Sequence, residues 1–116
     1  TGTLRRHPDV ARLKRPENAA ALRAAQDRLL AAAAEMVAPG GRLVYAVCSL
    51  LPEEGPARIA QFLASGAPFA RVPATAAELG VPEACITAAG DLRTLPSHWA
   101  ERGGLDGFYA CRLRRL

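Results

Sequence analysis

The sequence predicts an α/β fold whose parallel strands end in an antiparallel pair, and three observations predict it. A helical apolar pattern runs from about residue 17 to 37 and stops at Pro39-Gly40-Gly41. A nearly unbroken apolar run, Leu43-Val44-Tyr45-Ala46-Val47, follows at once, as expected of a strand buried on both faces of a parallel sheet. Near the end, the turn signal Asp106-Gly107 precedes Phe108-Tyr109-Ala110-Cys111-Arg112-Leu113, a run of strand-forming residues. Helix, glycine turn and buried strand together make the αβ half of a right-handed crossover unit.

The elements follow in order. Pro8-Asp9 opens a short basic turn or helix, with Asp9 near its positive end and Lys14-Arg15 near its negative end. Pro16 interrupts it, and Glu17-Asn18 is a polar start for the long helix. Leu22, Ala25, Leu29, Ala32, Ala33, Met36 and Val37 recur at helical spacing and predict its buried stripe. After the strand at 43–47, Pro52-Glu53-Glu54 starts a second helix over about 53–65, with Ile59, Phe62 and Leu63 on its buried face. Phe69-Ala70-Arg71-Val72 reads as a strand. The stretch 73–91 reads as loop, with helical turns near 75–79. Leu92-Arg93-Thr94-Leu95-Pro96 is a short strand closed by its proline.

A chain of 116 residues is one small domain or a piece of a larger one. Half its residues are hydrophobic, which excludes wholesale disorder. No apolar run approaches the roughly 20 residues that span a bilayer, and the first residues lack the apolar stretch of a signal peptide. The chain therefore reads as soluble and cytoplasmic, with no membrane partner. Of the net charge of +4, residues 1–15 carry Arg5, Arg6, Arg12, Lys14 and Arg15 against Asp9, and residues 112–115 add Arg112, Arg114 and Arg115. The middle is mildly acidic. Two basic ends suit a polyanion such as RNA, although a bias toward arginine produces the same pattern.

Chemistry-bearing residues are few. Cys48, Cys85 and Cys111 are widely spaced, with no Cys-x-x-Cys pair and no close histidine, which argues against zinc or any other metal. Cys48 stands at the carboxyl end of the strand 43–47, the edge where open α/β sheets bind ligands. It is a candidate nucleophile, although free cysteine is also a common core residue. As a nucleophile it needs positive charge nearby to favour the thiolate. Nothing in the spacing of His7 or His98 argues for a cysteine–histidine dyad. Glu53 and Glu54 suit the first turn of a helix as dipole partners. Gly40-Gly41 lacks the context of a phosphate loop. Trp99 and Phe108 are able to stack on a base, but core packing is the commoner use of such residues.

Four ordered blocks then add up to a resemblance. Thr1-Gly2-Thr3-Leu4-Arg5-Arg6-His7-Pro8-Asp9 resembles the tail of the Pro-Cys-Ser-x-Thr-Gly motif of the RNA 5-methylcytosine methyltransferases, with its basic extension. Pro39 to Ser49, with Leu51-Pro52-Glu53-Glu54, resembles the next catalytic motif of that family. Leu92-Arg93-Thr94-Leu95-Pro96 and Asp106-Gly107-Phe108-Tyr109-Ala110 resemble its closing strands. Two residues depart from the pattern: Val47 where threonine is usual, and Tyr109 where a second phenylalanine is common.

The resemblance implies the C-terminal half of a Rossmann-like class I methyltransferase fold over residues 1–116. It implies methylation of carbon 5 of cytosine in RNA, 16S ribosomal RNA in the bacterial members most like this chain. It gives Cys48 the role of the nucleophile that adds to carbon 6, and Arg5, Arg6 and His7 a place near the active-site mouth as RNA contacts. The cofactor would be S-adenosylmethionine, but the glycine-rich loop and acidic residue that hold it are not in this sequence, nor is the cysteine of the Pro-Cys-Ser motif. These 116 residues alone are expected to bind no cofactor, to be inactive, and to self-associate through an unpaired strand edge. A non-catalytic RNA-binding module with an inert Cys48 is the alternative. A thiol hydrolase is disfavoured because no histidine is placed for it.

Overall fold

A computed structural model describes residues 1–4, 6–13 and 15–116. One short turn, α1 (Val10–Leu13), follows Pro8. Pro16 opens the long helix α2 (Pro16–Met36) as its first residue. There its missing N–H is no loss and its fixed φ suits the helix. Arg15 precedes it in extended conformation, and Glu17 lies in the first turn. At the other end Gly40, at φ +80°, turns the chain into β1 (Arg42–Val47).

The second predicted helix is broken in two. A 3₁₀ turn at Pro52–Glu54 and the helix α3 (Pro56–Ala64) are separated by Gly55. A side chain at Gly55 would meet the Tyr109 ring at 2.8 Å, so glycine lets that ring pack against the backbone. Next come β2 (Phe69–Arg71), the short α4 (Ala76–Leu79) and β3 (Leu92–Thr94). The last element is β4 (Phe108–Arg115). Thr75 caps α4 in a reciprocal capping box with Glu78.

β4 is the centre of the sheet. β1 pairs along one of its edges, from Arg42↔Arg114 to Val47↔Tyr109. β2 and β3 share the other edge end to end, through Ala70↔Arg114 and Arg93↔Tyr109. All three ladders are antiparallel, so the parallel strands that the sequence predicts do not pair with each other directly. β1 and β2 do run in the same direction, joined by a crossover through α3. The strand order β1-β4-β2, however, puts the C-terminal strand in the slot between them.

Both long helices lie on one face of this sheet. Leu30 and Ala34 of α2 and Ile59 of α3 form a single core with Phe69, Tyr109, Cys111 and Leu113. β1 accordingly alternates: Leu43, Tyr45 and Val47 face the helices, while Arg42, Val44 and Ala46 are exposed, so it is not buried on both faces. The predicted stripe of α2 also needs correction. Leu29 and Met36 are 70% and 82% exposed, and the sheet is met along Leu30–Ala34 instead. Alanine surrounds this helix, so spacing alone does not choose a face. Close approach at Ala34 does.

Two of the three C-terminal arginines serve this packing. Arg115 donates to the carbonyls of Ala34 (3.3 Å) and Val37 (2.5 Å), capping the C-terminus of α2. Arg112 grips the Glu78 carboxylate with two nitrogens (2.6 and 3.1 Å) and donates to the carbonyls of Val72 and Pro73. The basic C-terminal end is therefore mostly structural, contrary to its reading as a polyanion surface; Arg114 alone of the three is exposed.

Candidate active site around Cys48

β1 carries Cys48 out of the sheet at its carboxyl end, where the thiol is exposed. The turn that follows is tied at nearly every polar backbone group. Gly2 N–H donates to the Cys48 carbonyl (3.2 Å), and Leu50 N–H donates to Thr1 Oγ1 (2.8 Å). Leu51 N–H donates to Ser49 Oγ (3.0 Å), and that fully buried hydroxyl also shares a hydrogen bond with Thr1 Oγ1 (3.1 Å). The Leu51 carbonyl accepts from Glu54 N–H (3.2 Å). The carbonyls of Ser49 and Leu50 both accept from Arg93 of β3, at 2.9 and 2.5 Å.

Segments far apart in the chain meet at this turn. Gly107 N–H donates to the Gly2 carbonyl (2.8 Å). A Cβ on Gly2 would fall 2.0 Å from the Gly107 carbonyl oxygen and 2.5 Å from the Cys48 carbonyl carbon. A Cβ on Gly107 would fall 2.3 Å from Leu50 Cδ2. Glycine at both positions is thus a requirement of close approach. Parts of the blocks beginning at Thr1, Pro39, Leu92 and Asp106 meet here.

Of the sequence-predicted RNA contacts, Arg6 and His7 lie on the exposed side of this assembly. Arg6 forms an ion pair with Asp106 at 2.7 Å while its side chain stays 58% exposed. Arg5 lies outside the described residues. Arg12 and Arg15, further along, are exposed as well. His98 is occupied locally, its Nδ1 accepting from Leu95 N–H (3.0 Å). Trp99 is half-buried, with the Arg102 guanidinium 4.9 Å from the centre of its ring.

Cys85 and Cys111 differ sharply from Cys48. Both are buried. Burial raises the Cys85 thiol pKa, and burial followed by the neighbouring Asp91 pushes that of Cys111 up to about 12, so neither is a thiolate near neutral pH. Asp91 itself is buried and accepts from the Tyr109 hydroxyl (2.6 Å) and from Arg71 Nε (3.4 Å). The departure at Tyr109 is thereby explained: the extra hydroxyl has a carboxylate to meet. Sequence reasoning missed Arg93 and Asp91. The available signals were a charged residue inside a short strand and a phenol in the closing strand.

A nucleotide-type cofactor is cradled by a glycine loop between a strand and a helix N-terminus. Gly40-Gly41 instead lead from α2 into β1, at the opposite end of that strand from Cys48, and Gly103-Gly104 lead toward β4. Neither glycine pair is therefore placed as such a loop. Among the described residues there is also no metal-binding cluster of histidine, cysteine and carboxylates, and no helix long and apolar enough to cross a membrane.

Comparison with known proteins bears on this arrangement. The family model described as 16S rRNA methyltransferase RsmB/F matches residues 1–114. The ribosomal RNA small subunit methyltransferase B of Thermus thermophilus is 40% identical over 116 residues, covering all of this chain and 27% of that protein. Its namesake in Pasteurella multocida is 39% identical, covering all of this chain and 24% of that protein. The chain thus spans about a quarter of the length of these curated relatives. Among solved structures, PH0851 matches with a TM-score of 0.80 at 29% identity, over 98% of this chain and 24% of that one. A methyltransferase homologue from Pyrococcus horikoshii shares the fold, with a TM-score of 0.62 at 22% identity, over 89% of this chain and 34% of that one.

Proposed function

The chain belongs to the 16S rRNA methyltransferase RsmB/F family, and from that premise we propose that it is the C-terminal portion of an RNA (cytosine-5-)methyltransferase with Cys48 as its nucleophile. One observation carries the reading: an exposed thiol at the carboxyl end of β1, on a turn gripped by the N-terminal and C-terminal motif segments. The substrate is 16S ribosomal RNA, and the setting is the cytoplasm. S-adenosylmethionine supplies the methyl group when bound, held by parts of the enzyme beyond these residues.

The contribution of this chain is to activate the base. Carbon 5 of cytosine is a poor nucleophile. After the thiol has lost its proton, Cys48 Sγ bonds to carbon 6, and the electron pair of the 5,6 double bond moves onto carbon 5, which becomes able to attack an electrophilic methyl. When carbon 5 later loses its proton, the double bond re-forms and the sulfur–carbon bond breaks, returning the thiolate. Covalent catalysis of this kind replaces one difficult step with two easier ones. Arg6 and His7, exposed beside the turn, contact the RNA.

The test is covalent trapping of the full-length gene product that contains this chain by RNA carrying 5-fluorocytosine, whose carbon 5 cannot release a proton. Wild type is expected to form the adduct, and Cys48→Ala to lose both the adduct and turnover. Turnover retained in Cys48→Ala rejects the assignment. The alternative of an RNA-binding module with an inert core cysteine predicts resistance to alkylation until unfolding, and the exposure of this thiol speaks against it.

As an isolated piece, residues 1–116 are proposed to be inactive and to self-associate. The outer edge of β1 has no strand partner among the described residues, with Val44 59% exposed on it and Leu29 70% exposed on α2 nearby. Gln26 Oε1 is buried beside this edge without a hydrogen-bond partner. Unpaired apolar edges attract strands of other chains. Sedimentation showing a monomer at every concentration would contradict this.

A further inference from the structure

We propose that Arg93 is a positioning residue for the reaction, holding the Cys48 turn in its reactive geometry; this rests on Cys48 being the nucleophile. Arg93 is opposite Tyr109 in one ladder, and Tyr109 is opposite Val47 in the next. The three residues therefore form a row across the sheet that ends immediately before Cys48. From the far end of that row the guanidinium reaches the carbonyls of Ser49 (2.9 Å) and Leu50 (2.5 Å), the first two after the nucleophile.

Successive carbonyls of an extended chain point in opposite directions. Two of them converge on one guanidinium only where the chain turns, so this two-pronged contact specifies the turn. A planar group with donors in a fixed fork suits the task, whereas a lysine is a single point of contact. Arg93 is half-buried, and among the described residues no carboxylate lies within ion-pair distance of it. Arg6, Arg58, Arg71 and Arg112 each have a carboxylate partner. Arg115 makes a similar two-carbonyl tie where α2 ends; what distinguishes Arg93 is that its two carbonyls directly follow Cys48.

Misplacing a reacting group by about 1 Å costs on the order of 100-fold in rate. In the full-length gene product, Arg93→Ala is therefore expected to lower kcat and the rate of trapping by 5-fluorocytosine RNA about 100-fold, with KM for RNA within about twofold of wild type. Arg93→Lys, which keeps the charge and loses the fork, is expected to fall between, about tenfold below wild type. That graded order at constant KM is not produced by a loss of RNA binding, which would raise KM. Arg93→Ala within threefold of wild type, or a rise in KM that accounts for the loss, overturns the inference. If Arg93→Ala does not fold, Arg93→Lys at an unchanged melting temperature decides: about a tenfold loss supports the role and wild-type turnover overturns it. If wild type forms no adduct, or Cys48→Ala still turns over, the nucleophile assignment itself has failed. If Cys48→Ala is dead and both Arg93 variants match wild type, only the role of Arg93 has failed.

Discussion

The two ends of this chain are about equally rich in arginine and use it in opposite ways. At the C-terminus, Arg112 and Arg115 lie on a central strand, within reach of a carboxylate and of the unpaired carbonyls where α2 stops. At the N-terminus, Arg6 lies in a turn, Arg12 in the short α1 and Arg15 just before α2, and all three are exposed. Net charge in a sequence thus does not locate a polyanion surface. A long cation beside unsatisfied carbonyls is consumed by packing, whereas Arg6, although paired with Asp106, keeps its side chain 58% exposed. Arg6 belongs to the segment whose first residues pack on the Cys48 turn.

The largest effect that would sharpen this comparison concerns the part of the N-terminal segment packed against the Cys48 turn. Gly2→Ala drives a methyl group into the Gly107 and Cys48 backbone. It is expected to cost about 1–3 kcal/mol and to lower trapping at Cys48 by tenfold or more. Thermal unfolding and adduct kinetics of the full-length gene product measure both, and a native-like Gly2→Ala would mean that the N-terminal segment is not a wall of the site. The next effect contrasts the ends directly. Arg115→Ala, which uncaps α2, should lose about 1 kcal/mol of stability and leave the salt dependence of RNA binding unchanged. Arg6→Ala should do the reverse, holding stability within about 1 kcal/mol and making the plot of log affinity against log salt shallower by about 0.7–0.9. Equal slopes for the two variants would remove the distinction between the ends.

The smallest effect is the pH dependence of the C-terminal tie. The hydrogen bond from Arg112 holds the Glu78 carboxyl below its ordinary value of 4.5, with the backbone bond at Thr75 adding to this. A carboxyl with a lowered folded-state pKa stabilises the fold above its unfolded value, and the contribution disappears as pH falls through the lowered one. The melting temperature of wild type should therefore fall more between pH 5 and pH 3 than that of Arg112→Ala. Parallel curves would show that the pair contributes nothing.

The elements legible in the sequence are those with punctuation. α2 runs over 16–36 against an expected 17–37, because Pro16 and the glycine pair bound it, and β1 and β4 were equally plain. Cys48 was legible from its place at a strand end, and the blocks around it from their order. Facts that depend on the partner of a residue were not legible. The face of an alanine-rich helix, the insertion of β4 between β1 and β2, and the destination of Arg93, Arg112 and Arg115 follow from which surfaces meet. A sequence pattern with a period of two or 3.6 residues carries no record of that. Tyr109 shows the same limit from the other side. Its hydroxyl looked like a mild departure until Asp91, eighteen positions earlier, supplied the acceptor.

The bracing of the Cys48 turn has a consequence for motion. A thiol on a mount secured by Thr1, Gly2, Ser49 and Arg93 has little freedom to travel toward a nucleotide stacked inside an RNA structure. For the chemistry proposed here the traveller has to be the base. Swinging a nucleotide out of its stack costs a few kcal/mol, least where it is already unpaired. The stiffness of this small turn thereby becomes a filter on RNA, favouring cytosines that leave their neighbours easily over those that are firmly stacked.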